Sequence, residues 1–317
     1  MLNKYLITGG AGFIGSTLAN SIAKENKVVL VDDLSMGKKE NISFNNNTTL
    51  IQGSVTDSEF MKQLLSENSF DYIFHLAAIA SVADSVERPV ETHQVNFESV
   101  LMLLELIRKY QRNLKRLVFS SSAAVYGDEP TLPKREESII RPLTPYAVDK
   151  FAAEQYVLNY NHLYGIPTSA VRFFNVYGPN QNPESPYSGV ISILVNCYKK
   201  LLSGEAASFS LFGDGTQSRD FVYVDDVIQA LLLIASKEET LGRQFNVGTG
   251  KSITLNELIR VIDDELGVKL PVQYKDERSG DIKDSVADIS RLLSIGFESK
   301  YTIQSGMKNY LKSENLI

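Results

Sequence analysis

The sequence predicts an α/β chain: a doubly wound parallel sheet followed by a smaller C-terminal α/β lobe. Short β-rich runs alternate with helical patterns through the first half of the chain. The runs are nearly uninterrupted apolar stretches, as parallel strands covered on both faces require. After about Asn175 the alternation gives way to irregular spacing with clustered glycine and proline.

Taken in order, a strand over 5–8 runs into a glycine-rich turn and a helix over 13–25. Strands follow at 28–31, 49–51, 72–76 and 117–120, and a sixth at 167–174. Helices fit near 58–68, 94–110 and 144–164, which makes right-handed βαβ crossovers the natural connection. Pro145 suits a first helical position, and few breakers follow as far as Tyr164. Further helices are expected near 190–202, 225–237 and 254–267.

With 317 residues the chain is long enough for about two domains and needs no cross-link to hold a core. Its one cysteine, Cys197, excludes an internal disulfide and a CxxC redox pair. Lysine and arginine number 32 against 38 acids, net −6, so no nucleic-acid partner is expected. His75, His93 and His162 lack metal-ligand spacing, so no metal is expected. No apolar run approaches the roughly 18 residues of a membrane span, and no leader pattern opens the sequence. No membrane partner and a cytoplasmic location are therefore expected.

Gly9, Gly12 and Gly15 follow the first strand and open the first helix. Such glycines permit a tight turn, close approach to a pyrophosphate and close helix–strand packing, with the helix N-terminus facing the phosphates. Asp32 ends the second strand, about 20 residues on, where a carboxylate accepts ribose hydroxyls and repels a 2′-phosphate. That favours NAD over NADP.

The glycine spacing, with Asp32-Asp33-Leu34-Ser35, Gly53-Ser54-Val55-Thr56-Asp57, His75-Leu76-Ala77-Ala78 and Asn96, resembles the extended short-chain dehydrogenase/reductase superfamily. The resemblance runs the length of the chain and implies a Rossmann-like fold with bound NAD. It divides the chain into an NAD-binding domain over 1–175 and a UDP-sugar-binding lobe mainly over 176–317, with elements near 221–250 as candidates to return to the first domain. The cofactor residues it implies are Gly9, Gly12, Phe13, Ile14, Gly15, Asp32, Asp33, Ser35, Ser54, Val55, Leu76, Ala77, Ala78, Asn96, Ser120, Tyr146, Lys150 and Phe173. Ser54 stands where the superfamily usually has an acid. His75 reads as a core histidine at a strand end.

Tyr146 and Lys150 are spaced to share a helix face. A free phenol titrates near pH 10, too high for a neutral-pH base, and a neighbouring ammonium with a positive nicotinamide ring would bring it down. Ser120 through Gly127 follows a strand and offers hydroxyls at its end. By resemblance, Ser122, Tyr146 and Lys150 are the catalytic set. Within the superfamily the chain is most similar to the UDP-sugar 4-epimerases. Sugar-nucleotide dehydratases carry Thr-Asp-Glu where this chain has Ser122-Ala123-Ala124, and without those carboxylates no acid and base are present for elimination.

Arg172 to Pro179, Leu211 to Gly215, Ser218 to Phe221 and Arg278 to Asp281 resemble the epimerase segments that hold the nucleotide. The resemblance implies Asn175 at the diphosphate, Phe212 in the loop that holds uracil and phosphate, Arg219 and Arg278 as bidentate diphosphate clamps, and Asp281 at the ribose. Ala80, Ser81, Ser122, Ala123, Tyr146, Gln181, Gly189, Val190 and Ser285 complete the substrate set. Ser285 lies where members that exclude an N-acetyl group carry tyrosine. The smaller side chain implies C4 epimerisation of UDP-N-acetylglucosamine/UDP-N-acetylgalactosamine, and of UDP-glucose/UDP-galactose as well, through a 4-keto sugar. A homodimer is implied through the helices near 97–110 and 146–163, with Leu101, Leu104, Ile107, Tyr156, Tyr160 and Leu163 as apolar contacts. Alternatives are a UDP-glucuronate epimerase or sugar-nucleotide reductase, and a non-catalytic NAD-binding regulator.

Overall fold

The computed structural model describes residues 2–182, 189–277 and 282–317. The first half runs β1 (Lys4–Thr8), α1 (Phe13–Ile22), β2 (Lys27–Asp32), β3 (Thr48–Gln52), α2 (Ser58–Glu67), β4 (Tyr72–His75), α3 (Val82–Glu87), α4 (Pro89–His93), α5 (Ser99–Tyr110), β5 (Arg116–Ser122), α6 (Pro145–Tyr164) and β6 (Thr168–Phe173). The second runs β7 (Asn175–Tyr177), α7 (Val190–Leu202), β8 (Phe209–Phe212), β9 (Ser218–Arg219), β10 (Phe221–Tyr223), α8 (Val224–Ser236), β11 (Gln244–Val247), β12 (Ile253–Thr254), α9 (Leu255–Leu266), β13 (Val272–Lys275), β14 (Asp284–Ser285), α10 (Ser290–Ser294) and α11 (Ile303–Ser313).

Seven parallel strands form the main sheet in the order β11-β6-β5-β4-β1-β2-β3. Six of them fall on the apolar runs. The seventh, Gln244-Phe245-Asn246-Val247, is short and half polar, so its sequence does not mark it as a central-sheet strand. It pairs with β6 in parallel, Phe245 opposite Val171. Helix α8 returns with it and packs on α1 and β5.

Both faces of the sheet are covered. Ile7, Leu30, Phe74, Val118 and Phe245 face one layer with Leu18 of α1 and Leu231 of α8. Leu6, Val31, Ile73, Leu117 and Phe119 face the other with Leu65, Leu104 and Val157 of α2, α5 and α6. Leu104, Ile107 and Tyr160, expected at a dimer interface, belong to this second layer and are buried within the chain. Tyr156 and Leu163 remain exposed, at 42% and 63%. The helix expected over 94–110 begins with one widened turn at 94–98 before α5.

Helix α6 is bounded as its sequence suggests. The Thr144 hydroxyl accepts from the Ala147 N–H at 3.3 Å, Pro145 takes the first position, and Gly165 closes the end at φ +67°. It is anchored from within by Glu154, which is fully buried against Arg172 of β6. The guanidinium grips the carboxylate through two bonds, Nε to Oε2 at 2.8 Å and Nη2 to Oε1 at 2.6 Å. Arg172 Nη1 also donates to the Tyr126 hydroxyl at 2.9 Å and the Glu136 carbonyl at 3.1 Å. Burial pulls Arg172 down, but the Glu154 partnership outweighs it and holds the guanidinium above its ordinary value.

Glu154→Ala is expected to cost about 3–5 kcal/mol, because it strands a buried guanidinium. Urea unfolding reads this directly; a loss below about 1 kcal/mol would mean that the pair does not anchor α6.

Candidate active site

A cleft of about 850 Å³ lies at the carboxyl ends of the main-sheet strands, lined by Gly9 after β1, Asp32 of β2, Leu76 after β4, Ser120 of β5 and Phe173 of β6. Strand order reverses between β1 and β4, the place where doubly wound sheets take ligands.

One half is a dinucleotide cradle. Gly12 precedes α1 in extended conformation, no side chain caps the helix, and no acid occupies its first turn. The leading N–H groups and the positive end of the helix are thus left for an anion. Gly9 sits at φ +67°, and a Cβ there would come within 2.8 Å of the Ala77 nitrogen. A Cβ on Gly15 would drive into the Gly9 carbonyl. Asp32 accepts from the Ala11 N–H at 2.9 Å and the Leu34 N–H at 2.8 Å. Burial raises its pKa and those two N–H groups oppose the rise. Asp33 accepts from Ser35 N–H at 2.9 Å and its hydroxyl at 2.6 Å. The Ser54 hydroxyl is held by Thr56 at 2.8 Å.

Phe13, Ile14, Asp33, Ser35, Ser54, Val55, Ala77 and Ala78 all line the cleft with these residues. Asn96 does not. It is buried behind the wall, where its amide clamps Ile79, accepting from the N–H at 2.9 Å and donating to the carbonyl at 3.0 Å. Its place in the structure is to shape the wall. The cradle fits NAD: open N–H groups for the diphosphate, and a carboxylate for the adenosine ribose.

In the other half, Ser122, Tyr146 and Lys150 meet at the wall. Tyr146 is hydrogen-bonded to Ser122, but burial dominates and raises the phenol. Burial by itself thus acts against the lowering expected from Lys150 and a positive nicotinamide ring together. The Lys150 ammonium instead donates to the Ser120 carbonyl at 2.8 Å and lies 5.0 Å from the centre of the Phe119 ring. Burial lowers Lys150 to about 7, with Asp149 opposing. His75 is a neutral core histidine: burial, aided by Lys150, takes it to about 3, and Nδ1 contacts the Thr8 hydroxyl at 2.9 Å.

Of the remaining substrate residues, Ala80 and Gln181 line the cleft. A Cβ on Gly189 would sit 3.1 Å from Gln181 Nε2, and Gln181 Oε1 is buried without a hydrogen-bond partner among the described residues. Ser81, Ala123, Asn175, Gly189, Val190, Phe212, Arg219 and Ser285 stand outside the cleft wall. Ser81 is buried and caps α3, accepting from the Asp84 N–H at 2.9 Å. Ala123 packs in the small cluster around Phe174. Asn175 is exposed on β7, Val190 opens α7, and Phe212 ends β8. Arg219 and Ser285 are register partners in the sheet β12-β9-β14. Arg219 Nη1 donates to the Ser218 and Lys283 carbonyls at 2.9 and 3.0 Å. Beside them, buried Asp220 holds three loop N–H groups, of Thr249, Gly250 and Ala287. Arg278 and Asp281 lie outside the described residues.

The cleft also contains a charged group that the sequence reading missed. Arg88 pairs with Asp84 at 2.5 Å and with Glu91 at 2.8 Å, all three on the wall. Their spacing along a helix was the only signal, and it usually marks a solvated surface.

The family model described as the NAD dependent epimerase/dehydratase family matches residues 5–248. The chain belongs to this family. NAD is its cofactor. Among relatives of the epimerase/dehydratase chain, the UDP-glucose 4-epimerase of Mycolicibacterium smegmatis is 35% identical over 95% of each sequence. Two solved structures superpose on nearly the whole molecule. The UDP-N-acetylglucosamine 4-epimerase of Methanobrevibacter ruminantium M1, in complex with UDP-N-acetylmuramic acid, is 38% identical with a TM-score of 0.91, covering 98% of this chain and 97% of that one. The UDP-glucose 4-epimerase of Thermotoga maritima with UDP-glucose is 37% identical with a TM-score of 0.90, covering 98% of both.

Proposed function

We propose that this epimerase/dehydratase chain interconverts the C4 epimers of UDP-hexoses, accepting both N-acetylated and plain sugars. Membership of the family and the two UDP-sugar 4-epimerase relatives support the reaction. The Tyr146–Ser122 hydrogen bond on the wall beside the dinucleotide cradle carries the mechanism.

NAD, when bound, supplies the hydride acceptor and donor for C4, so that a 4-keto sugar forms between the two half-reactions. The chain handles the proton. Ser122 bridges the sugar hydroxyl to Tyr146, and Tyr146 takes the proton from O4 and later returns it. Burial keeps the phenol protonated, so the base needs positive charge nearby to act. Lys150, sealed against Ser120 and Phe119, is the chain's own source of that charge. The β9–β14 sheet anchors the nucleotide through Arg219 while the sugar turns over. No acid–base pair follows Ser122, so elimination of water has no agent there.

For sugar size, Ser285, the register partner of Arg219, is a smaller side chain than tyrosine, and Gln181 offers a buried acceptor with no partner among the described residues at the cleft. An acetamide N–H suits that acceptor. Helix α6 turns Val148, Tyr156 and Leu163 outward at 49%, 42% and 63% exposure. We place the interface of a homodimer on this stripe.

Purified protein mixed with UDP-N-acetylglucosamine or UDP-glucose, without added cofactor, is expected to form the galacto epimer of each, read from the anomeric proton by NMR. Tyr146→Phe should retain NAD and lose roughly 10²–10⁴ in turnover. Near-normal turnover would remove Tyr146 from the proton transfer. Ser285→Tyr should lose the N-acetylated substrate first; equal rates on both sugars would sink the size assignment. Light scattering should report twice the chain mass, and a single-chain mass would defeat the interface.

A further inference from the structure

Between Ser122 and Pro145 the chain leaves the main sheet on an excursion that no step above uses. It passes through Gly127, where φ is +53° and a Cβ would strike the Arg141 carbonyl. Beyond the glycine stands an ion pair sealed from water: the side chains of Glu129 and Lys134 are 5% and 4% exposed. Lys134 Nζ donates to Glu129 Oε2 at 2.8 Å and to the Glu129 carbonyl. Glu129 Oε1 accepts from the Thr131 N–H at 3.0 Å and from its hydroxyl at 2.6 Å. A buried pair is tolerated when hydrogen bonds satisfy the rest of both groups, and both carboxylate oxygens are met here. Such a pair has one geometry, and it fixes the backbone at Lys134.

That backbone reaches the nucleotide lobe. Lys134 forms a parallel bridge with Ala287. Its N–H donates to the Val286 carbonyl at 2.8 Å, and its carbonyl accepts from the Asp288 N–H at 2.7 Å. The same stretch of chain carries β14, where Ser285 is the register partner of Arg219. Residues 284–288 are thus held on one side by β9 and on the other by Lys134.

The excursion is also tied to the catalytic strand. Ser122 Oγ accepts from the Ala124 N–H at 3.2 Å, and the Tyr126 carbonyl accepts from the Glu129 N–H at 3.2 Å. Asn246 of β11 joins the two ends: Oδ1 accepts from the Tyr126 hydroxyl at 2.6 Å, and Nδ2 donates to the Lys134 carbonyl at 2.8 Å. Covalent chain and hydrogen bonds together run without a gap from Ser122 to the strand that carries Ser285. Neither Glu129 nor Lys134 lines the cleft, so both act through the strands they join.

We propose that Glu129 and Lys134 are positioning residues that hold the nucleotide anchor at a fixed distance from Ser122, so that C4 of a UDP-hexose arrives at the Ser122 hydroxyl. The substrate is held by its nucleotide and reacts at its sugar. Its reacting carbon is therefore only as well placed as the two strands are placed against each other. The proposal rests on the assignment of Arg219 to the nucleotide and of Ser122 to the reaction.

The test separates chemistry from anchoring. In Glu129→Ala protein saturated with NAD, kcat on UDP-glucose should fall about tenfold, because small displacements of a reacting group are costly. Calorimetry with UDP alone should give a Kd within about twofold of wild type, since Arg219 and β14 still meet the nucleotide. Glu129→Gln, which keeps an acceptor for the ammonium, should bring kcat back to within about threefold. A pair that served only to stabilise the fold would lower the melting temperature and leave kcat and Kd as they were; that result, measured well below the transition, overturns the proposal. Loss of UDP affinity with kcat unchanged overturns it too. Thr131→Val leaves the ion pair in place and is read the same way, with a kcat loss of about threefold, should Glu129→Ala not fold. In either variant, hydrogen exchange at the Lys134 and Asp288 amides should quicken while that of α6 stays as it was, and unchanged exchange at those two amides also defeats the proposal. If the wild-type protein turned over no UDP-sugar, the epimerase assignment would fall, and the exchange would still decide whether the pair holds the anchor strand.

Discussion

The site depends on one buried contact, the two-pronged grip of Arg172 on Glu154. It joins α6 to β6 from inside the protein, and through Tyr126 and Asn246 it reaches β11. Tyr126 Oη donates to Asn246 Oδ1 at 2.6 Å, and the Asn246 N–H donates to Glu136 at 2.9 Å. Burying a guanidinium and a carboxylate is favourable only when every prong is met, and here geometry meets them. The consequence is positional. Tyr146 and Lys150 ride on the helix that this pair locks, and Ser122 ends the strand beside β6.

With α6 fixed, the cleft becomes a junction of two charge environments. At the dinucleotide end, a helix N-terminus without cap or acid faces a carboxylate on the next strand. Around Tyr146 and Lys150, burial acts against every charged form: it lowers His75 to about 3 and Lys150 to about 7, and raises the Tyr146 phenol. Of the three, Lys150 is the group left close to a switch in ionisation. Small changes in neighbouring charge therefore have a large effect on which group holds the proton.

The glycine turn, Asp32, the Tyr146–Lys150 spacing and six strands of the main sheet were legible in the sequence. Each is written in consecutive residues or in one helical turn. The seventh strand was only marked as a region that could return, because Gln244 and Asn246 interrupt its apolar pattern; Tyr126, Lys134 and Glu136, which bond Asn246, lie more than a hundred residues away. Asn96 was matched by motif to the cofactor, yet its amide is spent on Ile79. Tyr160, Leu104 and Ile107 read as apolar helix positions, and periodicity could not say which layer would cover them.

By itself the sequence determined the doubly wound architecture and the family and marked the candidate site residues, because local periodicity and short motifs encode strand, turn and helix face. The tertiary structure alone decided how those residues are charged. The direction of the Tyr146 shift, the pairing of His93 with Asp149 and the register of Arg219 beside Ser285 arise from burial and from contacts between distant segments. Desolvation depends on everything packed around a group, and no run of neighbouring residues records it.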